Sequence, residues 1–321
     1  MTTQILDEIA KIGMIPVLSI DKAERAISLA KALKKGGLPL MEVMFRTDAA
    51  AESIRRISAQ MPDFMVGAGT VLTVEQARQA VECGAKFLVS PGFNPQVCKA
   101  AIELNVPIVP GCVSPTEVEA ARVLGLHVLK FFPAVENGGV SAMRLLSGPY
   151  PDVSFVPTGD LTRDLCREYL AFGKVAAAGG DFMLSYDDIH SDNYEKIAAD
   201  VQDTILGYLN FHIAHMGMNA DDKTSALDLT SRLASALHLE VRAGNKSAFA
   251  GKLFEVMYGP FYHAKGHVAI GTADATRAYY YLKRCGIKFY EDTVSRDASG
   301  KVIAAYMQED FAGFALHLLQ D

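Results

Sequence analysis

Short apolar runs alternate with amphipathic stretches from Met14 to about Asn210. The runs cover residues 14–20, 39–45, 64–70, 87–92, 107–113, 128–134, 153–159 and 174–180. Between them, stretches such as 22–35, 49–60, 74–83, 95–104 and 115–124 repeat their apolar residues every three to four positions, the period of a helix packed on one face. Residues 1–11 read as a short amphipathic helix ahead of the first run. Eight strands, each followed by a helix, in about 200 residues sit at the lower size limit of a (β/α)8 barrel. The pattern therefore predicts an α/β fold with a TIM barrel over residues 1–210. A doubly wound open sheet is the alternative. It ranks lower because the count reaches eight and polar residues recur at the C-terminal ends of the runs.

Beyond residue 210 the pattern changes. Residues 211–219 read as a strand, 223–239 as a helix and 252–258 as a strand. Residues 266–272 then read as a strand, 276–285 as a helix, and 287–293, 302–308 and 314–319 as strands. This βαβββ pattern given twice predicts an internal duplication, a small α+β domain over residues 211–321. Its first copy lacks a clear third strand around residues 240–251. Ser299-Gly300 reads as a hairpin turn, and Tyr279-Tyr280-Tyr281 as the core and surface of one helix.

Composition narrows the function classes. The chain of 321 residues is 50% hydrophobic and 21% charged, an ordinary globular composition with room for two domains. A net charge of −6 without any basic block argues against nucleic-acid binding. No apolar run is long enough to span a bilayer, and the first residues lack the basic start and apolar centre of a signal peptide. Five scattered cysteines, Cys83, Cys98, Cys112, Cys166 and Cys285, without a CxxC pair, fit reduced thiols in a cytoplasmic protein.

The candidate chemistry lies at the ends of the barrel strands, where TIM barrels build their sites. In the sixth run, Val128-Leu129-Lys130-Phe131-Phe132-Pro133-Ala134, a lysine sits among apolar residues. A buried lysine loses its charge readily and becomes a nucleophile for a ketone. A strand-end lysine whose ammonium reaches solvent is the plainer reading of this run alone. Other run ends supply Glu42 and Arg46-Thr47, Gly69-Thr70, Ser90-Pro91-Gly92, Thr158-Gly159-Asp160 and Gly179-Gly180-Asp181. Each alone is as easily an ion pair or a turn; together they put a carboxylate, a guanidinium, hydroxyls and an amine around one mouth.

The runs Glu42-Val-Met-Phe-Arg46-Thr47, Gly67-Ala-Gly-Thr70-Val71-Leu72, Ser90-Pro91-Gly92 and Lys130-Phe-Phe-Pro-Ala-Val-Glu-Asn-Gly-Gly139 resemble the 2-keto-3-deoxy-6-phosphogluconate (KDPG) / 4-hydroxy-2-oxoglutarate (KHG) aldolase family over roughly residues 5–210. The resemblance implies a class I pyruvate aldolase, usually trimeric, that needs no metal or other cofactor. It implies an imine on Lys130 with the C2 ketone of a 2-keto acid, and Glu42 as the proton shuttle. Arg46 suits the substrate carboxylate, because its fork matches two oxygens. Thr70 and Thr158 are expected to hydrogen-bond the carboxylate or nearby hydroxyls, and Pro91 to line the pocket. One departure stands out. The family's phosphate loops resemble Pro-Thr-Gly-Gly and Gly-Gly-Ser. Here Asp160 follows Gly159, and Asp181 follows Gly180. Like charges about 4 Å apart repel by roughly 4 kcal/mol at an effective dielectric near 20. The expected substrate is thus a 2-keto-3-deoxy sugar acid without a terminal phosphate. The other reading turns the aspartates outward, or protonates one, and keeps the phosphate. A binding protein built on an aldolase scaffold, working through its C-terminal domain, is the alternative function.

In the second domain His215-Met-Gly-Met, Leu253-Phe-Glu255-Val-Met-Tyr258, Gly266-His267-Val-Ala-Ile and Gly313-Phe-Ala-Leu-His317-Leu-Leu resemble the vicinal oxygen chelate superfamily, of which glyoxalase I is a member. The resemblance implies a divalent-metal site of His215, Glu255, His267 and His317, one ligand from the first and one from the last strand of each repeat. Such a set suits Zn2+, Ni2+, Mn2+ or Fe2+. A metal-free module whose histidines are hydrogen-bonded, or make an oligomer contact, is the other reading.

Overall fold

The computed structural model describes residues 2–261 and 263–321. Residue 1, at the start of the expected N-terminal helix, lies outside them. The chain forms two compact units, Met1–Tyr208 and Leu209–Asp321.

The first unit opens with α1 (Thr2–Ile12) and then alternates strand and helix: β1 (Met14–Leu18), α2 (Ala26–Lys35), β2 (Leu40–Met44), α3 (Ala50–Gln60), β3 (Met65–Gly69), α4 (Val74–Glu82), β4 (Leu88–Val89), α5 (Pro95–Glu103), β5 (Ile108–Val109), α6 (Pro115–Val123), β6 (Val128–Phe131), α7 (Gly139–Ser147), β7 (Ser154–Pro157), α8 (Arg163–Ala171) and β8 (Ala178–Gly180). Two helices, α9 (Tyr186–His190) and α10 (Tyr194–Leu209), follow. All strand pairs in this unit are parallel, in the order β5-β4-β3-β2-β1-β8 and β6-β7. Bridges Gly111–Lys130 and Thr158–Gly179 join the two sets, so the ring closes as a (β/α)8 barrel.

The local signals are those the sequence carries. Thr73 with Gln76, and Ser114 with Glu117, form capping boxes that start α4 and α6. Asn94 followed by Pro95 starts α5. The strand interiors are buried on both sides, as a parallel sheet under helices requires.

The second unit carries β9 (His212–Asn219), α11 (Lys223–Leu237), β10 (Val241–Ala243), β11 (Ser247–Ala250), β12 (Phe254–Met257), β13 (Gly266–Thr272), α12 (Ala275–Arg284), β14 (Ser295–Arg296), β15 (Val302–Tyr306) and β16 (Phe314–Gln320). The sheet order is β10-β11-β12-β9-β13-β16-β15-β14. β12 runs parallel to β9, β16 parallel to β13, and β9 antiparallel to β13. The second half of the sheet thus repeats the first in reverse order, which is the duplicated βαβββ unit. The first copy does have three later strands. The exposed residues of β10 hide it from a hydrophobicity pattern.

Residues 287–293 are not a strand. Phe289 makes one bridge to Met307, and Glu291–Thr293 is a 3-10 turn. Glu291 accepts hydrogen bonds from Tyr279 Oη (2.7 Å) and Lys283 Nζ (2.8 Å) on α12, which holds the segment against that helix. The edge strand forms two residues later, as β14.

Candidate active site

The barrel's chemistry starts from two charged side chains in its interior. Lys130 is 6% exposed and Glu42 2%. The register Val17–Glu42–Gly67 sets Glu42 in the middle of β2 with neighbours on both sides. A Cβ on Gly69 would lie 2.0 Å from Glu42 Oε1, so the glycine is what leaves room for the carboxylate. Gly67 is bare for a similar reason, since the Phe87 ring fills that space. Lys130 Nζ stands 3.9 Å from Glu42 Oε1. That is an ion-pair separation, longer than a hydrogen bond. Burial drives the Glu42 carboxyl above its ordinary value, while the charges of Lys130 and Arg46 pull the other way. Oε1 has no hydrogen-bond partner among the described residues, and buried polar atoms of that kind cluster where chemistry is done.

Residues of the neighbouring strand ends stand around this pair. Lys130 Nζ lies 5.1 Å from the Phe132 ring centroid. On that ring packs the backbone of Gly159, where a Cβ would come within 3.2 Å; its φ of 104° is one that glycine adopts freely. Thr158 is buried and donates weakly to the Val156 carbonyl at 3.4 Å. Thr70, half-buried at the end of β3, has a left-handed φ of 55°. Pro91 is half-buried beside Ser90, whose hydroxyl donates to the Gly92 carbonyl at 2.8 Å. Thr47 donates to the Ile20 carbonyl at 2.5 Å and ties the β2 loop to the end of β1. Arg46 is exposed in that loop, within electrostatic reach of both Glu42 and Tyr186. Asp160 and Asp181 are exposed, and Gly180 half-buried, at the ends of β7 and β8. A buried amine, a buried carboxylate and polar loop residues at strand ends can form and protonate a carbinolamine or imine.

A model of the family described as KDPG and KHG aldolase matches residues 5–200. This chain belongs to the KDPG and KHG aldolase family. It is 44% identical over 201 residues to 2-dehydro-3-deoxy-phosphogluconate aldolase of Treponema pallidum, spanning 63% of this chain and 96% of that protein. With KHG/KDPG aldolase of Escherichia coli K12 it shares 38% identity over 194 residues, 60% of this chain and 91% of the relative. Its fold is similar to that of KDPG aldolase from Legionella pneumophila, solved with pyruvate captured at low pH as a covalent carbinolamine intermediate. The TM-score is 0.60 at 32% identity, covering 62% of this chain and 97% of that one. The aldolase-family match ends at residue 200, before the second unit begins.

That second unit has a cluster of its own. Register puts His215, Gly217, Glu255, His267 and His317 on one face of the sheet. His267 is opposite Gly217 and Ala315, Glu255 opposite Gly217, and His317 opposite Ala269. α11 and α12 cover the other face, where Ala248, Ala250, Val256 and Ala305 are buried. A Cβ on Gly217 would lie 2.0 Å from the His267 ring, so this glycine opens the space the imidazole fills. Ring nitrogens of His215, His267 and His317 lie within 4.8 Å of one another. Glu255 Oε2 is 3.2 Å from His215 Nε2 and 3.1 Å from His267 Nε2, and those two nitrogens are 3.3 Å apart. Ser247 Oγ donates to the other carboxylate oxygen at 2.6 Å and fixes its plane. Burial raises Glu255, but hydrogen bonds from His215, His267 and Ser247 outweigh it and hold the carboxyl well below its usual range. Burial, then the His267 charge, lowers His317 to about 4. Its Nδ1 faces the Leu318 carbonyl at 3.1 Å, which can only accept, so the proton sits there and the Nε2 lone pair is left free. His267 Nδ1 and His317 Nε2 are buried without a hydrogen-bond partner among the described residues.

Sequence reasoning had singled out each of these residues but not their supports. Phe132 and Gly69 lie within quoted runs without a role assigned to them, and Ser247 and Tyr306, whose ring stacks on His317 at 4.5 Å, are marked by no motif. Tyr186 was missed too. Its phenol is held above its ordinary value by burial and then by the Asp181 charge, against a hydrogen bond from the Ser19 backbone and the charge of Arg46.

Proposed function

We propose that the barrel is a Schiff-base aldolase that reversibly cleaves a 2-keto-3-deoxy sugar acid to pyruvate and an aldehyde. The observation that carries the reading is the buried Lys130–Glu42 pair, 3.9 Å apart inside the barrel. The relatives' names point to the same substrate class. The Lys130 amine adds to the C2 ketone, and with a proton delivered from Glu42 water leaves, giving a protonated imine. A proton leaves the C4 hydroxyl, the C3–C4 bond breaks, and its electron pair enters the imine to give the enamine of pyruvate. The aldehyde departs, C3 regains a proton, and water releases pyruvate and restores the amine. Glu42 moves these protons. At 3.9 Å from the amine it does so through substrate oxygen or a water rather than directly. Arg46 takes the substrate carboxylate, Thr70 and Thr158 its oxygens or hydroxyls, and Pro91 walls the pocket. The imine is covalent, so no cofactor is required. Borohydride reduction with pyruvate tests the reading. One adduct mass on Lys130 is expected; a protein that binds pyruvate without an adduct would be a binding scaffold instead.

Glu42→Gln is expected to cut turnover by about 10²–10⁴-fold, the usual worth of a positioned acid–base. It should also stabilise the protein with a defined pH dependence. Below about 4.5, the ordinary value, the carboxyl is protonated in both folded and unfolded chains. Above that, the unfolded chain loses the proton first, so wild-type stability falls with rising pH until the raised folded value is passed. The Tm gap between Glu42→Gln and wild type should therefore open as pH rises from 4 to 7. A constant gap would remove the buried-carboxyl account.

We further infer a homotrimer in the cytoplasm. Exposed Ile102, Val123 and Leu145, on three consecutive barrel helices, offer an apolar face for assembly. The cysteines are free and four of the five buried, which suits a reducing compartment. Light scattering should give three times the 34.7 kDa chain mass; a monomer mass would refute the assembly.

For the second unit the reading is a vicinal oxygen chelate-like accessory module with a divalent metal. The donors fit: ligands about 2.0–2.1 Å from a tetrahedral ion stand about 3.3 Å apart, close to the His215–His267–Glu255 spacings. The unpartnered His317 Nε2 suits a fourth ligand. A bound ion would supply Lewis-acid polarisation of a nearby oxygen. Ser247 and the Leu318 carbonyl orient two of the ligands.

A further inference from the structure

The ends of β7 and β8 lie side by side in the barrel. β7 and β8 run parallel, and Thr158 bridges Gly179. Two residues further on from each, just past the ends of these neighbouring strands, stand Asp160 and Asp181. Gly159, just before Asp160, packs on the Phe132 ring that also carries Lys130 Nζ. Asp160 thus follows directly on the residue packed against the ring beneath the amine. Its own φ is 48°, in the left-handed region that glycine adopts without cost. Keeping a carboxylate on such a backbone points to use of that side chain. Past β8, Tyr186 heads the short helix α9 behind its Ser185 cap, within electrostatic reach of Asp181 and Arg46.

In TIM barrels the loops after strands 7 and 8 commonly hold phosphate through backbone N–H groups, and relatives of this chain are named for a phosphogluconate substrate. A phosphate dianion there would face both Asp160 and Asp181. Those carboxylates only accept hydrogen bonds when ionised, which suits hydroxyl groups as donors. We propose that Asp160, Asp181 and Tyr186 make this end of the pocket a receptor for an uncharged, hydroxyl-bearing chain end, so that the natural substrate is an unphosphorylated 2-keto-3-deoxy sugar acid. The proposal rests on the aldolase reading and names its substrate class.

The test compares pyruvate release from 2-keto-3-deoxygluconate with and without a 6-phosphate, after pyruvate trapping on Lys130 has been measured on the same preparation. Wild type is expected to favour the free acid in kcat/KM by at least about tenfold. Asp160→Asn with Asp181→Asn keeps shape and removes charge. It should move the ratio toward the phosphorylated acid by about tenfold or more. Tyr186→Phe should raise KM for the free acid about three- to tenfold with kcat within about twofold, the mark of lost binding rather than lost chemistry. An intact pyruvate adduct with a preference for the phosphorylated acid, with equal use of both, or with turnover of neither overturns the proposal and leaves the aldolase standing. Loss of the adduct overturns the aldolase reading itself.

Discussion

Lys130→Ala is expected to lower pyruvate release by at least about 10⁴-fold and to abolish the borohydride-stable adduct, because no other step supplies the electron sink. Lys130 is the one buried lysine among the described residues, so a surface amine is not placed to replace it. Two effects must be kept apart. The lysine is a nucleophile, and it is also the nearest cation to a buried carboxylate at 3.9 Å. Lys130→Arg separates them: it keeps a positive charge beside Glu42 but cannot form an imine. Equal loss in both variants assigns the effect to covalent chemistry. Activity recovered by arginine would mean that charge alone suffices, and the imine mechanism would fall. Removing the cation should also push Glu42 still further above its ordinary value, since the Lys130 charge is what opposes burial there. Lys130→Ala should therefore keep its fold with Glu42 protonated, which unchanged far-UV circular dichroism checks.

Much of this was legible in the sequence for particular physical reasons. Parallel strands under helices are uniformly apolar and short, so a polar residue at their ends stands out. Lys130, Glu42 and the Asp160 and Asp181 loops are legible that way. That His215 and Gly217 share one face follows from two-residue alternation along the strand, whereas the pairing of Gly217 with His267 is set by the fold. What sequence could not give was anything set by contacts across elements. Tyr186 heads a short helix behind a Ser185 cap, and only the fold brings it within electrostatic reach of Arg46 and Asp181. Residues 287–293 have strand-like composition, yet the Tyr279 and Lys283 hydrogen bonds to Glu291 win. β10 is fully exposed and therefore carries no hydrophobic period to read. Gly69 looks like any strand glycine until the Glu42 carboxylate is found in the space a methyl would take.

The second large effect concerns the other unit. Protein stripped with a chelator and reloaded with Zn2+, Ni2+, Mn2+ or Fe2+ is expected to hold one ion per chain for at least one of them. At a free-ion concentration of about a thousand times Kd, binding adds about 4 kcal/mol to the folded state. A thermal midpoint on the order of 10 °C higher is the expected sign for a unit of this size. Glu255→Gln and His267→Ala should each weaken binding by at least about 100-fold, since each removes a direct ligand rather than a support. Ser247→Ala, which only frees the Glu255 carboxylate to turn, should weaken it by about 10-fold. Lys130→Ala, in the barrel, should leave the ion in place. Acid should release it, because the three imidazoles must be neutral to ligate. Without an ion, the His215–His267 contact of 3.3 Å and the two approaches to Glu255 form a hydrogen-bonded cluster that needs at least one shared proton. In that case chelation would leave the midpoint unmoved, and Glu255→Gln would destabilise the protein by breaking the cluster itself. The sign of the chelator effect on wild type therefore decides between a metal centre and a proton-bridged core.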